Sequence, residues 1–205
     1  MKRVVTLLLF SSFTLAMEPA AEPEHRTEAA CGYNLATLKG QCIFIDHLHC
    51  GRTAIDDETV FVGNHLPLTT PLIYAAAHDD EDLSSFILDA QPAVNKKDGT
   101  GLAPIHALVY NPDSKQAKRI LDYLLKRGVA LGLTDSEGKN LFHYICRFGH
   151  KELFDTVIRL SSAGNLLRNY DHLGKKPEDY LAYCGDEFSK MYLSLKIKKI
   201  GDSNQ

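Results

Sequence analysis

The chain is predicted to be all-α, a solenoid of stacked helix–turn–helix units, and three observations in its 205 residues carry that prediction. A similar phrase recurs four times, as TPLIYAAA from Thr70, APIHALVY from Ala103, NLFHYICR from Asn140 and KPEDYLAY from Lys176, at intervals of 33, 37 and 36 residues. An Asp-x-x-Gly tetrad stands ahead of three of these phrases: Asp98 with Gly101, Asp135 with Gly138, Asp171 with Gly174. Downstream segments carry apolar residues at helical spacing. A helix pair of this length cannot bury its own apolar face, so neighbouring units must stack. Such a stack offers an extended binding surface and no ready-made catalytic cleft.

Each element has a local reason. Asp accepts hydrogen bonds from amides just downstream, and Gly supplies the positive φ that other residues resist, so Asp-x-x-Gly predicts a tight turn. Pro71, Pro104 and Pro177 then fall in the first turn of an inner helix, where a missing N–H costs nothing; Leu141 takes that place in the third copy. The outer helices carry the stripe: Ala117, Ile120, Leu121, Leu124 and Leu125 recur at i, i+3, i+4, i+7 and i+8, with Leu153, Phe154, Val157 and Ile158 as a shorter run. Phe188, Met191, Tyr192 and Leu195 give a last, capping helix with Lys190, Lys196, Lys198 and Lys199 on its solvent side. Gly128 and Gly164, each seven residues before a turn Asp, are expected as left-handed helix stops, with Gln91 in the equivalent place of the first unit. The second and third units are longer than the first. The extra residues of the second map to Asn111–Ser114, a turn with Asp113 or Ser114 as helix cap; those of the third map to the outer helix or to Ser161 and Ser162.

From Leu68 to Ile200 these residues resemble the ankyrin repeat family, whose unit of about 33 residues opens T-P-L-H-x-A. The resemblance implies that His106 and His143, the histidines of that phrase, hydrogen-bond between neighbouring loops and hold the stack together. Ile73 and Asp179 occupy the same place in the first and last copies, as fits atypical ends. The resemblance also implies a non-catalytic protein–protein interaction module, which grips its partner with the turn tips and the exposed ends of the inner helices. The turn positions here are Lys97, Gly99, Thr100 and Leu102; Ser136, Glu137 and Lys139; and His172, Leu173 and Lys175. The pairs closing the inner helices are Ala77-His78, Tyr110-Asn111, Arg147-Phe148 and Tyr183-Cys184. Tyr and Arg in one concave patch are enriched at interface hot spots. The competing role for Tyr110 and Phe148 is to fold inward and fill space made by the longer units.

The first residues differ in kind. Lys2 and Arg3 precede a 13-residue uncharged run from Val4 to Ala16, and acidic, Pro- and Ala-rich EPAAEPE follows from Glu18. That order is expected of a secretory signal peptide over 1–16, with Thr14 and Ala16 as the small residues before cleavage. The run is shorter than the ~20 apolar residues needed to span a bilayer. Residues 17–30 are expected to be a flexible linker, 31–65 an irregular N-terminal cap or degenerate repeat, 66–200 the repeat domain and 201–205 a tail. Export, to a periplasm or beyond the cell, is the expected localisation. It implies a bacterial protein that meets host or envelope proteins.

Composition sets limits. A net charge of −3 calls for neither nucleic acid nor an anionic membrane as partner, and the expected state is a monomer that binds a protein. Five cysteines are an odd number, so at least one thiol stays free or pairs with another chain. Cys31, Cys42 and Cys50 lie close together, the place for any bridge, whereas Cys146 and Cys184 fall at small-residue packing positions. His47, His49 and Cys50, with Cys42 nearby, are the one cluster with metal-ligand flavour, but they lack paired C-x-x-C or H-x-x-x-H spacing. The expected setting is a partly exposed cap strand or loop. The alternative is an adaptor whose residues 31–65 hold a small Cys/His-based enzymatic or metal site. No phosphate-binding glycine loop and no H-E-x-x-H motif is present. Neither a cofactor nor a catalytic residue is expected.

Overall fold

The computed structural model describes residues 33–51, 53–58, 60–61, 68–160 and 163–202. The expected signal peptide, the linker, Cys31, Ser161 and Ser162 lie outside the described residues. Those described are mainly helical, as the sequence predicts. Extended pairing among them is limited to two two-residue strands, β1 (Val60–Phe61) antiparallel to β2 (Leu68–Thr69), and two isolated bridges. No described helix is long and apolar enough to cross a membrane.

The elements follow in the order α1 (Leu38–His49), β1, β2, α2 (Pro71–Ala77), α3 (Glu81–Asp89), α4 (Pro104–Ala107) with a 3-10 turn (Leu108–Tyr110), and α5 (Ser114–Lys126). After these come α6 (Leu141–Phe148), α7 (Lys151–Val157), α8 (Ala163–Leu166), a 3-10 helix (Pro177–Tyr183) and α9 (Asp186–Asp202). Each phrase seen in the sequence begins one of α2, α4, α6 and the last 3-10 helix. Pro71, Pro104 and Pro177 sit in the first turns as expected. In the third copy, Asn140 accepts from the amides of Phe142 and His143 and caps the helix itself. The four phrase helices pack side by side in chain order, α2 on α4, α4 on α6, and α6 on the last 3-10 helix. The second helices of the units pack on them, α3 against α2 and α7 against both α6 and α5.

The core runs through this double layer. Ala117, Ile120, Leu121 and Leu124 of α5 are fully buried, and Leu125 is half-buried, which matches the stripe. Leu153, Phe154, Val157 and Ile158 are buried on α7, and Phe188 and Tyr192 bring α9 against Phe154 at ring separations of 5.8 and 5.0 Å. Asp113 caps α5 by accepting from the amides of Lys115 and Gln116 at 2.8 and 3.4 Å, as the Asn111–Ser114 segment predicts.

Two local expectations need correction. Residues 38–49 are a regular helix, so His47 and His49 stand on a helix and not on the strand or loop expected there. Thr37 caps it, and Phe44 is its buried anchor while Ile43 faces solvent. Gly164 is no left-handed stop: it lies inside α8, because the extra residues of this unit form that short second helix. Gln91, the departure from glycine in the first unit, nevertheless adopts φ +54, alongside Gly128 at +76. The position demands the conformation even when the residue resists it.

Candidate functional site

The three Asp-x-x-Gly turns share one hydrogen-bond plan. In each, the Asp amide donates to the carbonyl four residues on (Leu102, Lys139, Lys175; 2.9–3.0 Å), and the Gly amide donates back to the Asp carbonyl at 2.8–3.2 Å. One carboxylate oxygen, Oδ1, accepts the amides two and four residues downstream: Thr100 and Leu102 for Asp98, Glu137 and Lys139 for Asp135, Leu173 and Lys175 for Asp171. The other oxygen, Oδ2, always has a hydroxyl partner. Thr69 donates to Asp98 at 2.8 Å, Tyr144 to Asp135 at 2.6 Å, and Tyr180 to Asp171. Burial alone would raise the Asp171 carboxyl. The Tyr180 hydroxyl and the amides of Lys175 and Leu173 outweigh it and hold the group below its ordinary value.

Tyr144 and Tyr180 are residues that motif matching missed. Each stands nine residues after its Asp, a recurrence visible in the sequence but meaningful only once the turn folds back on the helix.

The two phrase histidines are built in alike. Nδ1 of His106 accepts from the Ala103 amide (3.2 Å), which leaves the ring proton on Nε2 to donate to the Leu133 carbonyl at 2.9 Å. His143 has matching partners in the Asn140 amide (3.1 Å) and the Lys175 carbonyl (3.2 Å), and its Nδ1 also lies 2.8 Å from Asn140 Oδ1. Each imidazole ties its own helix start to the next loop. Burial lowers the pKa of both below the ordinary histidine value, against an opposing pull from those carbonyls, so both are neutral at pH 7.

This framework holds the turn tips and inner-helix ends in place. Successive turns are chained: Lys97 Nζ donates to the Thr134 carbonyl, the His172 amide to Glu137 O (2.9 Å), and the Gly99 amide to Glu58 (2.9 Å). Lys97, Thr100, Ser136, Glu137, His172, Leu173 and Lys175 are exposed; Leu102 and Lys139 are half-buried. The Thr100 hydroxyl is already committed to Asp98 at 2.6 Å, and Lys139 pairs with Glu137. Leu173 is 70% exposed at a turn tip.

Tyr110 and Phe148 meet edge to face at 5.0 Å, and both remain nearly half exposed. The inward-folding alternative therefore does not apply. Arg147 lies over the Phe148 ring at 5.7 Å, and Tyr144 joins Tyr110 (6.2 Å) to His106 (5.4 Å). A second cluster stands on the last 3-10 helix: Tyr183, 68% exposed, lies 6.2 Å from Tyr180, which carries Lys139 and Lys175 at 5.6 and 5.7 Å from its ring centre. The outcome is a strip of exposed rings, Tyr110 and Phe148 with Arg147, and a second exposed ring, Tyr183, on the last 3-10 helix.

Asn111 does not belong to the strip. It is 4% exposed, and its side-chain amide donates to the carbonyls of Ala76 and His78, at 3.2 and 2.7 Å. Those carbonyls end α2, where no helical partner remains for them, so Asn111 joins neighbouring helices and is unavailable to a partner.

Beside Tyr110, α2, the Asp98 turn and the 3-10 turn after α4 enclose a cleft of ≈ 560 Å³, walled by Ile73, Tyr74, Ala77, Leu102, Tyr110 and Pro112. The His47–His49–Cys50 group does not converge. His47 Nδ1 bonds the Tyr33 hydroxyl at 2.7 Å, His49 packs edge-on to Phe86, and Cys42 and Cys50 are exposed free thiols. Among the described residues, no three His, Cys, Asp or Glu side chains are placed to hold one metal ion. Cys146 is fully buried, and its burial pushes the thiol pKa far up, so it packs and does not react. No protein-family model matches this chain, and no curated protein matches it.

Proposed function

We propose that the chain is an exported, ankyrin-type repeat protein that binds a partner protein through its turn tips and inner-helix ends and catalyses no reaction. The observation that carries this reading is the strip formed by Tyr110, Phe148 and Arg147, with Tyr183 exposed on the last 3-10 helix, which packs on α6. The exposed rings of Tyr110 and Phe148 lie edge to face there, on a backbone fixed by repeated carboxylate-centred turns. Aromatic side chains lose little freedom on binding and Arg brings a charged, multiply donating head, which is why both are enriched at interface hot spots. The export half of the reading rests on the amino-terminal sequence, Lys2-Arg3 followed by the uncharged run to Ala16.

The test is affinity capture from envelope and host-cell extracts with the parent chain and with a Tyr110→Ala, Arg147→Ala, Tyr183→Ala triple variant. All three side chains are exposed, so the thermal transition stays in place. Specific capture lost in the variant supports the reading; equal capture by both proteins rejects it. Mass spectrometry of the amino terminus of the protein purified from its own cells checks signal cleavage, and an intact Met1 removes the export argument.

A further inference from the structure

From the charge of the cleft between α2 and the 3-10 turn at Tyr110 we infer the chemistry of the segment that enters it, an inference that rests on the binding role proposed above. The segment is a peptide with one apolar anchor residue and a lysine or arginine close to it. The cleft wall is apolar, and its ≈ 560 Å³ suits one large side chain with its neighbours. Two carboxylates line it, Asp79 and Asp98. Those of Asp98 are used up: Oδ1 accepts from Thr100 and Leu102, and Oδ2 from Thr69. Asp79 is exposed and makes no described hydrogen bond or ion pair, so it is the lining carboxylate open to a cationic group.

The wider charge pattern agrees. Residues 53–95 hold eight acidic residues and neither lysine nor arginine, whereas residues 96–205 hold 18 basic against 13 acidic, a net of +5. Asp80, Glu81 and Asp82 follow Asp79 directly; Asp80 is spent on the Leu83 amide and Gln41, and Glu81 on Arg119. Burial raises the Tyr74 hydroxyl pKa, and Asp80 and Asp79 push it further, which places their field on the cleft wall. At the other side of Tyr110 the sign reverses, with Arg147 acting on the same ring. An acidic anchor segment would be repelled from the α2 end, and an apolar one would leave Asp79 facing a desolvated partner without a counter-charge.

Panning random dodecapeptides displayed on phage against the full chain tests this, with synthetic peptides from the enriched clones measured by fluorescence anisotropy. The expected consensus is one Leu, Ile, Met or Phe with Lys or Arg within about three residues. Asp79→Asn should weaken such peptides by about fivefold and Asp79→Lys by tenfold or more, as for loss and reversal of a partly exposed pair. The effect should shrink in high salt. Asp79 caps no helix and is exposed, so both variants keep the parent melting curve. Ala77→Arg, which fills the cleft, should abolish binding. Enriched peptides without basic residues, or basic ones indifferent to Asp79→Lys, overturn the inference. If such peptides still depend on Tyr110, Arg147 and Tyr183, the binding role survives; if they depend on neither set, both fail. A dimer seen by light scattering and dissolved by Asp79→Lys assigns the cleft to a second copy and also overturns the inference.

Discussion

Tyr180→Phe removes one hydroxyl and leaves the ring, with its packing against Lys139 and Lys175, in place. The lost bond runs to the Oδ2 atom of Asp171, a carboxylate only 5% exposed, whose Oδ1 atom keeps its two amide donors. Hydrogen bonds to charged groups contribute about 1.5–3 kcal/mol, and water cannot readily replace this one. A domain of this size shifts by about 2–4 °C per kcal/mol, so Tm should fall by about 3–12 °C. Tyr144→Phe removes the matching bond to Asp135, but Asp135 is half-buried and water can substitute. Its cost should be smaller, about 0.5–1.5 kcal/mol. The deficit of Tyr180→Phe must also depend on acidity. The native Asp171 carboxyl sits below its ordinary value of about 3.9, so its contribution is complete above pH ~4 and is lost as pH falls through the native pKa. The two proteins should therefore converge in strong acid. Thermal and urea unfolding of both variants from pH 7 to pH 3 measures all of this. A Tyr180→Phe protein as stable as the parent at pH 7, or a larger loss for Tyr144→Phe, would refute the picture of buried carboxylates as the turn centres.

The buried histidines predict a second acid effect. Burial holds His106, His143 and His150 below the ordinary pKa of about 6.5, so their neutral-state contribution is full above that value and lost as pH falls below it; urea midpoints at pH 7.5 and 5.5 should differ, with the lower pH less stable. Leu124→Ala empties a fully buried position between the layers and should cost about 2–5 kcal/mol in urea unfolding. Gly101→Ala should cost more than Gly128→Ala. Both have positive φ, but a Cβ at Gly101 would lie 2.6 Å from the Ser136 amide nitrogen, whereas nothing stands within 4 Å at Gly128. Parallel melting curves of the two alanine variants check the order, the second losing about 1 kcal/mol.

The parts of the molecule legible in the sequence are those where local chemistry and packing agree. Asp98, Asp135 and Asp171 announce turns because the carboxylate satisfies amides two and four residues away, a purely local demand. The α5 stripe is equally plain, since its inner face must be apolar. Asn111 was misread for the opposite reason. Its role is set by two carbonyls at the end of α2, more than thirty residues earlier, and nothing near it in sequence reports them. Gly164 misled because insertion of α8 moved it from a helix end into a helix. The α1 helix was unreadable because it buries one residue, Phe44, and exposes Leu38 and Ile43, so it carries no regular stripe. Of the candidate site, Tyr110, Arg147, Phe148 and Tyr183 were legible as residues, but their arrangement was not. The edge-to-face contact of Tyr110 with Phe148 depends on the 3-10 turn that ends the α4 segment.

Site-specific photo-crosslinking tests the binding strip most directly. Benzoylphenylalanine is placed at Phe148 in one protein and at Lys118, exposed on the outer helix α5, in another. Irradiation in extract should give one discrete covalent adduct from position 148, competed by unlabelled parent protein, and none from position 118. Adducts from position 118 alone, or an adduct at 148 that excess parent protein does not compete away, would contradict the account.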